Sequence, residues 1–265
     1  MREASQSSTG LRAARIDVPG YLRRIGYEGA TGASAETLRG LHRAHLLTVP
    51  FENLDIALKR KIVVDPEGTV RKIVERQRGG FCYELNGAFA ALLAALGFRV
   101  TLLSARVARD DGSFGREFDH LTLRVDLEEP WLADVGFGDC FLEPLRLFDR
   151  GEQEQIGRVF RVSDFEAGLL LEEKIGAIWK KHYRFTLQPR RIEEFAEMCH
   201  FHQTSPESHF TRNSVCSRAT PDGRITVTDS RLVITRNGQK EEHPVTDWQE
   251  RDRILEEQFG IVLGA

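Results

Sequence analysis

Among four cysteines and eight histidines, Cys82 has the setting with the most chemical potential. It sits in RGGFCYELNG (78–87), behind Gly79-Gly80 and at the start of an apolar run with helical spacing. A thiol in the first turn of a helix meets unpaired backbone N–H groups and the positive end of the dipole, and both favour thiolate. Packing explains a cysteine there equally well, because free cysteines are commonly buried. A nucleophilic cysteine needs a base within hydrogen-bond reach, and that base needs an orienting acceptor. His120 opens HLTLRV directly after the polar, glycine-bearing loop that begins ARDDGSFGRE, and Asp134 lies in WLADVGFG. If these two runs pair through the Glu128-Glu129-Pro130 turn, both residues fall at one end of the hairpin. An aspartate in an apolar strand is costly unless paired, and an imidazole Nδ1–H would be its partner. The alternative is a strand-edge histidine and an aspartate that caps the Val135-Gly136 turn. The residues alone leave both readings open.

Other reactive groups suggest less. Cys199 to His202 (CHFH) and the pair His42 and His45 could be offered as metal ligands. No CxxC or HExxH frame accompanies them, so no metal site is expected. Cys82, Cys140, Cys199 and Cys216 are expected to be free thiols in a reducing, cytoplasmic setting. The segment MREASQSSTGLRAAR has no apolar stretch of the secretory kind, and residues 1–15 are expected to form a flexible tail. No run approaches the roughly 18 apolar residues of a membrane span, so no membrane partner is expected. Lys and Arg number 37 against 40 Asp and Glu, for a net charge of -3, which argues against nucleic-acid binding. Neither GxGxxG after a strand nor GxxxxGK[ST] occurs, so phosphate-cradling nucleotide loops are unsupported.

The elements that must position these residues change character along the chain. The first third reads as helical. Pro19 opens one short pattern, and Ser34 caps a second helix that ends before Pro50. Asp65 and Pro66 start a third, which stops at Gly79-Gly80. A fourth starts near Cys82, with Leu85, Ala88, Phe89, Leu92, Leu93 and Leu96 on its apolar face, and closes at Gly97. From there FRVTLLSARV, HLTLRVDL and WLADVGF read as strands, with more around 157–163 and 182–187. QPRRIEEFAEMCHF (188–201) is again helical. Asp222-Gly223 and Asn237-Gly238 mark two hairpins, and Asp247 with Glu250 caps a last helix. The expected class is α+β.

RGGFCYELNG resembles the active-site motif RGG-x-C-x-E-x-N of the arylamine N-acetyltransferases. Four further segments agree in order: VPFENLD (49–55), HLTLRV (120–125), ADVGFG (133–138) and, after FTLQPRRIEEF, TSPESHF (204–210). The similarity runs from about residue 18 to 262. It implies a helical bundle over 16–97, a central antiparallel β-barrel over 98–203 and an α/β lid over 204–265, around a cysteine-protease-like catalytic core. It implies a catalytic triad of Cys82, His120 and Asp134. It also implies ping-pong transfer of an acetyl group from acetyl-CoA, with no metal, to arylamines and arylhydrazines, and to the oxygen of N-arylhydroxylamines. By the same resemblance Phe51, Phe137 and Phe210 would wall the ring site. Gly136, Gly138, Thr204 and Ser205 would meet CoA, and Arg78 with Glu84 would form a buried pair under the site. On this reading Gly79 and Gly80 leave clearance for a thioester. Two departures stand out: Asp139 adds a carboxylate after VGFG, and CHFHQ places histidines before TSPESHF. Two alternatives remain, an amide synthase on the same scaffold that closes a macrolactam from a carrier-bound acyl chain, and a silent binding protein with a structural cysteine.

Overall fold

The computed structural model describes residues 16–263; the expected tail, 1–15, lies outside them. The helices are α1 (Val18–Ile25), α2 (Ala35–Thr48), α3 (Leu54–Ala57), α4 (Pro66–Glu75), α5 (Cys82–Ala95), α6 (Ala196–Thr204), α7 (His209–Arg212) and α8 (Trp248–Phe259). Their starts follow the sequence. Ser34 Oγ accepts from Thr37 N at 3.1 Å, and the Asp65 carboxylate accepts from Glu67 N and Gly68 N, each at 3.1 Å. Asp247 accepts from Glu250 N at 2.8 Å, while the Glu250 carboxylate takes the Thr246 N–H instead of completing a box on Asp247. Pro189 stays outside the helix expected over 188–201, which is a 3-10 turn (Ile192–Phe195) running into α6.

Among the described residues thirteen strands, all antiparallel to their partners, make two sheets. The first comprises β1 (Phe51–Glu52), β10 (Val215–Thr220), β11 (Gly223–Thr228), β12 (Arg231–Arg236) and β13 (Gln239–Pro244), in that order. The other strands are β2 (Arg99–Val107), β3 (His120–Asp126), β4 (Pro130–Ala133), β5 (Leu145–Arg146), β6 (Gln153–Gln155), β7 (Arg158–Phe165), β8 (Gly168–Ile175) and β9 (Ile178–Phe185). They pair in the order β5-β4-β3-β2-β9-β8-β7-β6, and the sheet curls into a nearly closed barrel. The two-residue side-chain period sorts its faces. Leu102, Leu121, Leu123 and Val125 pack with the helices, whereas Leu103, Phe160 and Tyr183 fill the barrel interior. The expected division between residues 203 and 204 falls in the last turn of α6.

Helix α5 is the mount for the site. Every residue from Cys82 to Leu93 is buried, with the polar Glu84 and Asn86 hydrogen-bonded inside, as burial requires. It packs against α4 on one side and against β2 and β3 on another, which brings its first turn to the end of the barrel where His120 begins its strand.

Candidate active site

Cys82 occupies the first position of α5, and the Gly-Gly before it has a definite role. Residues 79–80 run beside β1, where Gly80 bridges Phe51 and its carbonyl accepts from Glu52 N at 2.9 Å. A Cβ on Gly79 would overlap the Pro50 carbonyl oxygen, and one on Gly80 would come within 2.7 Å of the Glu84 side chain. The glycines therefore make room for protein, not for a thioester, which corrects the expectation above. Beneath them lies a charge cluster. Lys72 Nζ meets Asp55 at 2.7 Å, Glu84 at 2.8 Å and Glu52 at 3.6 Å. Arg78 meets Glu52 at 2.8 Å and Asp55 at 3.1 Å. Arg78 and Glu84 thus share a cluster without being each other's partner. Glu84 also accepts from Phe81 N at 3.2 Å and so caps α5. Burial pushes its carboxyl up to about 7 although Lys72 opposes the change.

His120 and Asp134 do meet, but through the other ring nitrogen. Nε2 lies 2.6 Å from Asp134 Oδ2, so Nδ1, not Nε2, is left for the cavity. Strand β4 stops at Ala133, and its register sets Ala133 opposite Leu123, so Asp134 begins the turn at the His120 end of the hairpin. Both uses considered for this residue are realised, because Oδ1 also accepts from Gly136 N at 3.0 Å. Two further donors complete the carboxylate: Asn86 Nδ2 reaches Oδ1 at 2.8 Å and Tyr183 Oη reaches Oδ2 at 2.8 Å. Burial alone would raise this carboxyl. His120 and the hydrogen bonds outweigh burial and hold it below the usual aspartate range.

Asn86 and His42 were not singled out for this role. Asn86 follows Cys82 by four residues and so shares its helix face; it also donates to Leu121 O at 2.6 Å and accepts from Val135 N at 2.9 Å. His42, offered above as a metal ligand, uses both nitrogens inside the protein. Nδ1 donates to Leu142 O at 2.8 Å and Nε2 accepts from Asp134 N at 3.0 Å. This fixes a neutral tautomer, and burial lowers its pKa to about 4. The Asn of the RGGFCYELNG motif was a signal for Asn86. Tyr183 comes from β9 and has no local signature.

The Cys82 thiol is pushed well up by burial. A backbone hydrogen bond from Leu121 works the other way, but Asp134 and Asp119 add to the rise. The helix terminus therefore does not make a lone thiolate stable here. Cys82 and His120 line one cavity of about 520 Å³, together with Phe51, Phe137, Phe210 and Gly136. The Phe137 ring meets His120 edge-on at 5.2 Å, and Phe51 and Phe210 are 6.1 Å apart. A Cβ on Gly136 would come within 2.8 Å of Cys82 Cα and 2.7 Å of Asn86 Nδ2, so close packing fixes that glycine. Gly138, Thr204 and Ser205 do not line the cavity. Thr204 Oγ1 donates to His200 O at 2.9 Å, and Ser205 Oγ accepts from Glu207 N at 3.2 Å. Asp139 also turns elsewhere, to Arg158 at 2.8 Å and Arg224 at 3.3 Å. Partial desolvation between them works upward, but the two guanidiniums hold this exposed carboxyl low. Exposed Arg109, Arg116 and Arg212 stand at the cavity instead.

A family model described as N-acetyltransferase matches residues 34–265. The arylamine N-acetyltransferase of Escherichia coli (strain K12) is 34% identical over 245 residues, which cover 91% of this chain and 87% of that protein. The chain belongs to the arylamine N-acetyltransferase family. Among solved structures of the family, that of the Mycobacterium marinum arylamine N-acetyltransferase in complex with CoA superposes with a TM-score of 0.86 at 34% identity, covering 92% of this chain and 93% of that one. Proansamycin X synthase of Amycolatopsis mediterranei (strain S699) is 35% identical over 251 residues, covering 88% of this chain and 92% of that protein. No helix among the described residues is long and apolar enough to cross a membrane.

Proposed function

We propose that this protein is an acetyl-CoA:arylamine N-acetyltransferase with Cys82 as nucleophile, His120 as proton carrier and Asp134 as the orienting carboxylate. One observation carries the proposal: Cys82 shares a cavity with an imidazole whose far nitrogen is bound to a carboxylate at 2.6 Å. Burial disfavours a lone thiolate, so the thiol proton passes to His120 Nδ1 as sulfur attacks the thioester carbonyl. The imidazolium is then balanced by Asp134, which does not itself take the proton. The C–S bond to CoA breaks, and the CoA thiolate collects the proton from His120. An arylamine, arylhydrazine or N-arylhydroxylamine next attacks the acetyl carbon. The new C–N or C–O bond replaces the bond to Cys82, and the acceptor's proton returns through His120 to the sulfur. Exchange of a thioester for an amide is downhill, so the chain has to supply geometry rather than driving force.

The three phenylalanines suit a flat ring, and 520 Å³ falls within the usual range for a small-ligand site. The three exposed arginines supply cations for the CoA phosphates. Gly136 is the one of the four residues expected to contact CoA that has a place in the cavity wall. Four buried free thiols fit a reducing, cytoplasmic setting. The likeness to proansamycin X synthase favours a second reading, macrolactam closure from a carrier-bound acyl chain. A donor panel separates the two. Acetyl-CoA is expected to support amide formation with 4-methylaniline, and turnover confined to long carrier-bound acyl thioesters would replace the first reading with the second.

A further inference from the structure

Asp119, not Asp139, stands in the active-site cavity beside Cys82, while the exposed Glu207 at the same cavity pairs with Arg116 at 3.2 Å. Asp119 precedes His120, lines the cavity with Cys82, and keeps 18% of its side chain exposed there. Its placement is built. Phe118 before it adopts a left-handed conformation, φ 64°, which a bulky residue adopts only when its surroundings impose it. Ser104 Oγ accepts from Phe118 N at 2.8 Å, and Tyr83 Oη donates to Phe118 O at 2.7 Å and Asp119 O at 3.3 Å. A Cβ on Gly115 would overlap the Asp119 carboxylate, so a glycine there leaves it room.

Behind this carboxylate stands His202, one of the histidines of CHFHQ. The side chain is nine-tenths buried, and Nε2 lies 3.3 Å from Asp119 Oδ1 without making a hydrogen bond. The other nitrogen is committed. Ser208 Oγ lies 3.3 Å from Nδ1 and 3.1 Å from His202 O. Phe210 packs edge-on against the same ring at 5.2 Å, which joins the pair to the aromatic wall.

Building on acetyl transfer through Cys82, we propose that Asp119, backed by His202, determines acceptor specificity. Its carboxylate accepts a hydrogen bond from a second N–H or cationic nitrogen of the acceptor, so hydrazines and diamines are favoured over simple arylamines. Hydrogen bonds to a charged group are worth about 1.5–3 kcal/mol, which is roughly ten- to a hundredfold in kcat/KM.

The test compares acceptors in pairs: phenylhydrazine with aniline, and 1,4-phenylenediamine with 4-methylaniline, each with acetyl-CoA. Taking the ratio within each pair cancels losses of folding or of thioester formation common to both acceptors. Asp119→Asn keeps the side-chain shape and is expected to lower at least one ratio by fivefold or more. His202→Phe fits the aromatic surroundings and is expected to lower the same ratio. If Asp119→Asn changes both ratios less than fivefold, the assignment of Asp119 is overturned. If only His202→Phe leaves them unchanged, its supporting role is overturned. Failure of the wild-type protein to form any acetyl-Cys82 would instead refute the transferase reading.

Discussion

Replacing Asp134 with Asn probes the site most sharply, because it exchanges one carboxylate oxygen for an NH2 group and leaves the shape. The carboxylate has four donors, two on each oxygen. An asparagine can keep its oxygen toward Asn86 and Gly136. Its NH2 group must then face Tyr183 and His120. Tyrosine can turn and accept, so the fold should survive. His120 Nε2 must also accept, which moves the ring proton to Nδ1, the nitrogen that has to receive the thiol proton. The lost charge-assisted bond alone is worth about 1.5–3 kcal/mol, or roughly ten- to a hundredfold. The wrong tautomer adds to this, and in a serine-type triad the same change costs about 10⁴ in rate. A loss on the order of 10³–10⁴ is therefore expected for acetyl-enzyme formation, measured by rapid quench after mixing with acetyl-CoA. Thermal unfolding should show a folded protein. A folded variant within about tenfold of the wild-type rate would show that Asp134 does not orient His120.

Gly136→Ala should push the turn away from the first turn of α5, because the added Cβ meets Cys82 Cα at 2.8 Å. Misplacement on the order of 1 Å costs about 10²-fold in rate, and an unchanged kcat/KM would contradict the packing described. His42 should contribute a loss of stability in mild acid. His42 is held neutral with its pKa lowered to about 4, against about 6.5 unfolded. The unfolded chain therefore binds the extra proton first, and stability present above pH 6.5 is lost as pH falls toward 4. Between pH 7 and pH 5 this amounts to about 2 kcal/mol from His42. Urea unfolding of the wild type and His42→Gln at the two pH values measures it as the difference between the two proteins. The difference is needed because Glu84, its carboxyl pushed up to about 7, acts with the opposite sign, and His45, its pKa lowered by burial to about 3, with the same sign. The same change with pH in both proteins would refute the assignment.

Much of this site could be read from the sequence because its parts sit on short signals. Ser34, Asp65 and Asp247 marked helix starts, and the 3- and 4-residue spacing behind Cys82 marked the buried helix that carries it. Cys82, His120 and Asp134 stand at element ends, and Phe51, Phe137 and Phe210 sit in the family motifs; five of these six line one cavity, and Asp134 lies behind His120. What sequence could not show depends on long-range approach. No local pattern announces that Tyr183 reaches Asp134 from β9, or that His42 secures the Asp134 backbone. The Pro50 carbonyl against Gly79, which takes the space the thioester was expected to use, has no local signature either. The preference of Cys82 for thiolate at a helix start gave way to burial, which depends on everything packed around it. Asp119 was hidden for the same reason, since only the fold turns it into the cavity while Asp139 turns to Arg158 and Arg224.

The most direct measurement is the mass of the Cys82 peptide after brief exposure to acetyl-CoA, acid quench and digestion. One added acetyl group is expected on that peptide, lost again as the N-acetyl product when an arylamine is added, and absent in Cys82→Ala. An unmodified Cys82 peptide from protein that still acetylates arylamines, or turnover by Cys82→Ala, would contradict a covalent route through this cysteine.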